Sequence, residues 1–231
     1  TMNATGCVLK STSNFIRTTH PMPSNSLDNT IDLPFPKVVL ASGNLKKIQE
    51  FETLFLNSNQ IIPQPELGIE SVEETGLTFI ENALLKARHA AQESGLPALA
   101  DDSGLVVEAL DGAPGIFSGR YAGSNATDLD NCQKLLCALE SALNRAAFFH
   151  ATIVFVEHAM DPDPVIAQGR WHGEILRSPR GDGGFGYDPL FFIADVQLSA
   201  AELSAQEKNH RSHRGQALRT LTHQLNIRFQ Q

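Results

Sequence analysis

The stretch VVLASGNLKKIQEF, at residues 38–51, decides the fold of this chain. A short apolar run at residues 37–41, with β-branched Val38 and Val39, predicts a β-strand, and the Ser42-Gly43-Asn44 sequence after it predicts a tight turn. Apolar residues then recur at spacings of three and four, which predicts an amphipathic helix; they are Ile48, Phe51, Leu54 and Phe55. The stretch therefore predicts a strand, a turn and a helix, the opening unit of an α/β domain.

The same alternation continues along the chain. A capping box at Thr78 and Glu81 predicts the start of a second helix, which Gly95 and Pro97 end. Strands are predicted at residues 61–62, 98–100, 105–109, 147–158 and 165–177, and further helices at residues 127–143 and 212–227. We expect the strand at 98–100 to stop at the acidic pair Asp101-Asp102. Because two long strands follow each other directly, the order predicts an α/β fold with a mixed β-sheet flanked by helices.

The composition excludes several classes of protein. The 231 residues include 18 Lys and Arg, 26 Asp and Glu and 42% apolar residues, with a formal net charge of -8. Such a chain is globular, and no apolar run approaches the roughly 20 residues of a membrane-spanning helix. An acidic protein has no general attraction to nucleic acid or to anionic membranes, so we expect neither as a partner. A polyanionic ligand must then be held by a local cluster of cations or by a metal ion.

Two regions of different composition divide the chain. Residues 1–36 are crowded with Ser, Thr, Asn and Pro and are predicted to be a polar N-terminal extension, whereas residues 37–231 are predicted to be the folded domain. The extension lacks the apolar core of a secretory signal peptide. The three cysteines, an odd number without zinc-ligand spacing, are expected to be unbridged thiols in a reducing compartment, which favours a cytoplasmic protein.

The turn at residues 42–47 is a candidate anion site. Where a strand passes through glycine into a helix, free backbone N–H groups and the positive end of the helix dipole attract an anion such as phosphate. Lys46 and Lys47 add full positive charges there. The P-loop pattern is absent, and an ordinary solvated helix start would have the same spacing.

Two acidic pairs, Glu73-Glu74 and Asp101-Asp102, are candidate ligands of a metal ion. Adjacent acids at the end of a buried strand repel each other unless a cation or a hydrogen-bond network lies beside them. Carboxylates without His or Cys partners suit Mg²⁺, which also uses water and phosphate oxygens as ligands. The alternative is that both pairs are ordinary solvated acids.

Two further segments carry groups suited to a flat, polar ligand. The glycine-rich run at residues 181–189 surrounds Phe185 and Tyr187, and an aromatic ring held there can stack on a base. Lys208 adds a cation, and the pair His213-Arg214 after it places cations at a helix start, where they do not complement the helix dipole. A surface turn and an exposed helix face are the competing interpretations.

A resemblance to a known family is carried by five stretches in this order: VVLASGNLKKIQEF, EETGLTFIENALLKARHAA, ALADDSGLVVEALDGAPGIFSGRYAG, GDGGFGYDPLFF and AELSAQEKNHRSHRGQAL. They closely resemble the inosine triphosphate pyrophosphatase family, whose bacterial XTP/dITP diphosphatases are also called the Ham1 or RdgB group. The resemblance implies two lobes around a nucleotide-binding cleft and a homodimer. It also implies Mg²⁺-dependent hydrolysis of ITP, dITP and XTP to the monophosphate and pyrophosphate.

The resemblance also implies roles for individual residues. Asp102 is implied as a metal ligand and proton acceptor, with Glu73 as the other metal ligand, a part that Glu74 could take instead. Lys86 is implied to act on the phosphates in catalysis. Substrate contacts are implied for Ser42, Gly43, Asn44, Leu45, Lys46, Lys47, Ser103, Phe185, Gly186, Tyr187, Asp188, Lys208, His213 and Arg214. Lys46 departs from the glycine that many relatives carry at its position.

Two other functions compete with this one. The related Maf-type pyrophosphatases act on pyrimidine nucleotides and share the strand-to-helix start, but the DDSG and GGFGYDP segments favour the first family. A catalytically silent nucleotide-binding module could use the same domain. The presence of Glu73, Lys86 and Asp102 argues against that second alternative.

Overall fold

The computed structural model describes Thr1, residues 33–55 and residues 60–229. The strands in this part of the chain are Val38–Leu40 (β1), Ile61–Pro63 (β2), Ala98–Val107 (β3), Ala146–Val156 (β4), Val165–Ile175 (β5), Phe191–Ile193 (β6) and Leu198–Ser199 (β7). The α-helices are Leu45–Leu54 (α1), Phe79–Ser94 (α2), Asp128–Ala138 (α3), Ala205–Arg211 (α4) and His213–Phe229 (α5).

The strands form one mixed sheet in the order β2-β1-β3-β4-β5-β6-β7. Strand β1 pairs in parallel with β2 and β3, and the pairing is antiparallel from β3 through to β7. Parallel neighbours need a crossover connection, and α1 and α2 supply those connections. The expected α/β fold with a mixed sheet is therefore confirmed.

The long strands β3, β4 and β5 extend through two lobes, each of which has its own apolar core. In one lobe, α2 covers one face of the sheet with small side chains such as Ala83 and Ala87, which allow close approach. Helices α1 and α5 cover the opposite face of the same lobe with larger side chains, including Phe51 and Leu218. In the other lobe, α3 and the far ends of the strands enclose a separate core around Phe149.

Helix α5 begins directly against the sheet because β5 carries a glycine at that point. A side chain at Gly169 would collide with the backbone of His213 and Ala217. The close approach brings the first turn of α5, with His213 and Arg214, to the boundary between the two lobes.

Several boundaries differ from the sequence prediction, and two of them differ by more than two residues. Strand β3 runs from Ala98 to Val107 without interruption, so the expected stop at Asp101-Asp102 is wrong. Both acids lie within a paired strand because lysine and arginine side chains offset their charges. Helix α3 ends at Ala138 instead of residue 143. Helix α4 and strands β6 and β7 were not predicted, since elements of seven, three and two residues are too short for a periodic pattern.

The predicted N-terminal extension lies almost wholly at residues 2–32, outside the described residues. Leu33 is nevertheless buried in the core, and the ring of Phe35 packs 5.0 Å from that of Phe155. Contact with the domain therefore begins before residue 37. Among the described helices, none has the length and apolar character needed to cross a membrane.

Candidate active site

A cleft of about 570 Å³ is lined by residues of both lobes. It brings together most of the residues predicted to form the site: Ser42, Gly43, Asn44, Lys47, Glu73, Lys86, Asp102, Ser103, Phe185, Gly186, Tyr187, Asp188, Lys208, His213 and Arg214. Leu45 and Lys46 do not line it. Leu45 is 72% exposed, and Lys46 points to Asp128 at the mouth of the cleft.

The turn before α1 is organised by the side chain of Asn44. Its Oδ1 accepts hydrogen bonds from the backbone N–H groups of Lys46 (3.0 Å) and Lys47 (3.2 Å), and Ser42 Oγ accepts one from the N–H of Asn44 itself. This differs from the expectation of free first-turn amides, because the cap already uses two of them. Positive charge reaches the cleft through the Lys47 ammonium, which lies 2.8 Å from Asp101.

Asp101 is a buried carboxylate surrounded by donors. Its Oδ2 lies 2.8 Å from Lys47 Nζ and 3.3 Å from the Arg214 guanidinium, and it accepts a hydrogen bond from Ser103 Oγ at 2.9 Å. Burial alone would raise the pKa of Asp101, but the neighbouring Arg214 and Lys47 hold that pKa well below its usual range. Asp101 therefore stays ionised and acts as a fixed counter-charge.

Asp102 has the opposite electrostatic character. Its Oδ1 lies 3.0 Å from Lys86 Nζ, and the amide of Asn82 donates to Oδ2 at 3.4 Å. Burial raises the pKa of Asp102, and Lys86 and Lys47 offset this only in part, since the nearby Glu74 carboxylate, 2.7 Å from Lys86, raises the pKa of Asp102 further. The same two carboxylates raise the pKa of Lys86 despite its own burial. Asp102 is thus held in place by side chains of α2, and its raised pKa makes it a better proton acceptor.

The two glutamates of the Glu73-Glu74 pair have different environments. Glu74 is held between Lys86 and Arg120 (3.2 Å). Glu73 is exposed and lines the cleft together with Asp102. Within the described residues no group of three or more His, Cys, Asp or Glu side chains converges on one point. Two carboxylates still fit Mg²⁺, which takes one or two protein carboxylates and completes its shell with water and phosphate.

The glycine-rich loop is tied to the helices by Asp188 and Lys208. Lys208 Nζ lies 2.7 Å from Asp188 and 2.8 Å from Glu50 of α1, and 4.7 Å from the centre of the Phe185 ring. Gly184 has φ +70°, and a side chain there would collide with the Asp188 carboxylate. The loop backbone is therefore folded tightly around the acid that anchors it, which leaves Phe185 half-buried at the cleft.

His213 and Arg214 carry polar atoms that the described part of the protein leaves unsatisfied. The His213 ring stacks on Phe149, with centroids 4.9 Å apart, and burial beside Arg214 lowers its pKa well below the usual range. His213 is therefore a neutral imidazole, and the prediction that it is a cation at the helix start is wrong. Within residues 33–55 and 60–229, the buried side-chain atoms without a hydrogen-bond partner are His213 Nδ1, Arg214 Nε and Asp101 Oδ1. All three residues line the cleft, and unsatisfied buried polar atoms in one place point to a polar ligand.

Several residues of the site were not found from the sequence. Glu50 makes ion pairs with Lys208 and Arg214 although more than 150 residues separate it from either. Asn82 holds Asp102 and accepts a hydrogen bond from the N–H of Gly76 (2.8 Å). Arg120, Asp128 and Phe149 also line the cleft. Only Asn82 carried a sequence signal, because it lies one helical turn before Lys86 on the same face of α2.

This architecture defines an α/β protein with a charged ligand cleft between two lobes. The chain belongs to the Ham1 family, whose model matches residues 38–224. It is 55% identical over 188 residues to a dITP/XTP pyrophosphatase of Pectobacterium atrosepticum, covering 80% of this chain and 95% of that relative. It is 54% identical to the dITP/XTP pyrophosphatase of Coxiella burnetii over 196 residues, 84% of this chain and 98% of the relative.

Solved structures agree with the family assignment. A Ham1 protein from Coxiella burnetii superposes with a TM-score of 0.78 at 53% identity, covering 83% of this chain and 98% of the other. The Ham1 protein of Staphylococcus aureus gives a TM-score of 0.75 at 39% identity, covering 83% and 99%. The similarity therefore extends over nearly the whole of each of these proteins.

Proposed function

We propose that this protein hydrolyses dITP, ITP and XTP to the monophosphate and pyrophosphate in a Mg²⁺-dependent reaction. The observation that carries the proposal is Asp102, a carboxylate with a raised pKa that Lys86 and Asn82 hold at the cleft. The relatives named dITP/XTP pyrophosphatase, at 54–55% identity, support the same substrates. The reaction removes non-standard purine nucleotides from the nucleotide pool.

In the proposed mechanism, water attacks the α-phosphorus and Asp102 accepts its proton. The new oxygen–phosphorus bond replaces the bond to the bridging oxygen between the α and β phosphates, and pyrophosphate leaves with that oxygen. Lys47 and Lys86 both line the cleft, and in this mechanism they offset the negative charge of the phosphates. Glu73 and Asp102 are the residues that would hold Mg²⁺, which supplies further charge neutralisation when bound.

Base selection would use the unsatisfied atoms of the first turn of α5. Inosine and xanthine carry an oxo group at the position where adenine carries an amine. The Arg214 Nε–H is a buried donor, so an oxo group satisfies it and an amine does not. An unsatisfied buried group costs about 1–3 kcal/mol, which corresponds to a preference of roughly tenfold to a hundredfold over ATP.

A substrate panel tests the proposal. Pyrophosphate release is measured with dITP, ITP, XTP, ATP and UTP, with Mg²⁺ and with excess chelator. We expect the three non-standard purines to be cleaved roughly tenfold to a hundredfold faster than ATP at equal concentration, and turnover to vanish with chelator. Preference for UTP would favour the pyrimidine-specific alternative. Binding of dITP without turnover would favour the silent module.

A homodimer in the cytoplasm is proposed on the basis of the family resemblance. The thiols of Cys132 and Cys137 are free, which suits a reducing compartment. Light scattering during gel filtration is expected to give twice the mass of one chain, and the mass of a single chain would contradict the dimer.

A further inference from the structure

Asp128 joins two segments of the cleft that are distant in the sequence. It is the first residue of α3, and its Oδ2 lies 2.6 Å from Lys46 Nζ in the first turn of α1. The same oxygen accepts a hydrogen bond from the backbone N–H of Gly186 at 3.0 Å. These contacts span 82 and 58 residues of sequence, and they connect the turn before α1 to the glycine-rich loop.

The location of these contacts matters more than their contribution to folding. The side chains of Lys46 and Asp128 are 56% and 47% exposed, and ion pairs with that exposure contribute little to stability. Asp128 nevertheless lines the cleft, and the partial exposure of both side chains places this ion pair at the solvent edge of the cleft. An exposed ion pair that connects two lobes there constrains the shape of the opening.

The constraint acts directly on the aromatic residue of the loop. Gly186 follows Phe185, has φ +61° and donates its backbone N–H to Asp128. Lys46, held by the same carboxylate, lies 5.8 Å from the centre of the Phe185 ring. Asp128 therefore fixes the backbone beside Phe185 and also the cation that approaches its ring.

We propose that Asp128 is a positioning residue that latches the glycine-rich loop across the mouth of the nucleotide cleft. The inference rests on the proposed function and adds to it a residue that does not touch the reacting atoms. The latch keeps Phe185 and Lys46 in place before the nucleotide binds, so less conformational entropy is lost on binding. Loss of the latch weakens substrate binding and leaves the chemical step intact.

Asp128→Ala and Asp130→Ala form a matched pair of variants that test the latch. Both remove one acidic residue from the first turn of α3. The Asp130 carboxylate, however, accepts hydrogen bonds from the N-cap residue Thr127 and does not line the cleft. For dITP, we expect Asp128→Ala to raise KM about fivefold or more with kcat within about twofold, and Asp130→Ala to leave both constants near wild type. Both variants lose an acid that complements the dipole of α3, and Asp130→Ala also loses the capping box, so its thermal stability should be the lower of the two.

Amide hydrogen exchange in the ligand-free protein gives a readout that does not depend on activity. The Gly186 amide should exchange about tenfold faster in Asp128→Ala than in wild type, and at the wild-type rate in Asp130→Ala. Equal KM values and equal Gly186 exchange in the two variants would overturn the latch. Absence of dITP hydrolysis by the wild-type protein would instead overturn the proposed function, while the exchange result still decides whether the latch exists.

Discussion

Asp101 and Asp102 are neighbours in β3, yet they lie on opposite faces of the sheet and have opposite electrostatic roles. Asp101 faces α5 and the turn before α1, where Arg214 and Lys47 lower its pKa well below the usual range against the effect of burial. Asp102 faces α2, where burial raises its pKa and Lys86 is shared with Glu74. Successive side chains of a strand point to opposite faces, so two identical residues meet two different helices.

One acidic pair can therefore contribute both to stability and to the proposed chemistry. A carboxylate that stays ionised next to two cations is a poor proton acceptor, because its proton affinity is too low. A carboxylate with a raised pKa is a better proton acceptor. Its ionised form also destabilises the folded protein. Asp101 therefore stabilises the first turn of α5, and Asp102 is the acid of the pair that suits the proposed proton transfer.

The largest expected effect is the loss of turnover in Asp102→Asn. Removing the proton acceptor should lower kcat for dITP by about a thousandfold, within the range of general base catalysis. The thermal unfolding midpoint should not fall, because the substitution removes a buried charge that burial disfavours. Steady-state kinetics and a melting curve measure both effects. A kcat within tenfold of wild type would exclude Asp102 as the main proton acceptor.

The next largest effect is the loss of stability in Asp101→Asn. The amide leaves Arg214 and Lys47 without their buried counter-charge, and breaking such an ion pair costs about 3 kcal/mol or more. Urea unfolding is expected to show this loss in Asp101→Asn and not in Asp102→Asn. If the two variants had the same free energy of unfolding, the contrast between the two acids would fail.

The smallest effect concerns His213 and pH. Its folded-state pKa is lowered well below 6.5, so as the pH falls through 6.5 the unfolded chain gains a proton that the folded protein excludes. The protein should therefore lose stability below that pH, and His213→Gln should lose about 1 kcal/mol less between pH 7 and pH 5.5. Urea unfolding at the two pH values measures this difference. Equal losses in the variant and the wild type would mean that His213 is protonated in the folded state.

Features that depend on neighbouring residues were predictable from the sequence. The helix start at Thr78 is one example: its side chain accepts from the N–H of Glu81, while the Glu81 carboxylate accepts from the N–H of Leu77. The turn from β1 into α1 is another. Both depend on residues within five positions of each other, so the pattern of residue types contains the whole interaction.

Features that depend on distant residues were not predictable. Adjacent acids indicated the end of a strand, but β3 continues through them because its counter-charges come from α1, α2 and α5. Glu50 and Asp128 were missed for the same reason, since each meets its partner only in the folded protein. Helix α4 did carry a capping box at Ser204 and Glu207, but its seven residues are too few to show an apolar period.

The most direct test of the account is to identify which bond of dITP is broken. Wild-type protein is incubated with dITP and Mg²⁺ in oxygen-18 water, and the products are examined by phosphorus NMR. Attack of water on the α-phosphorus predicts labelled dIMP and unlabelled pyrophosphate. Formation of dIDP and orthophosphate would contradict the proposed reaction and the role that it gives to Asp102.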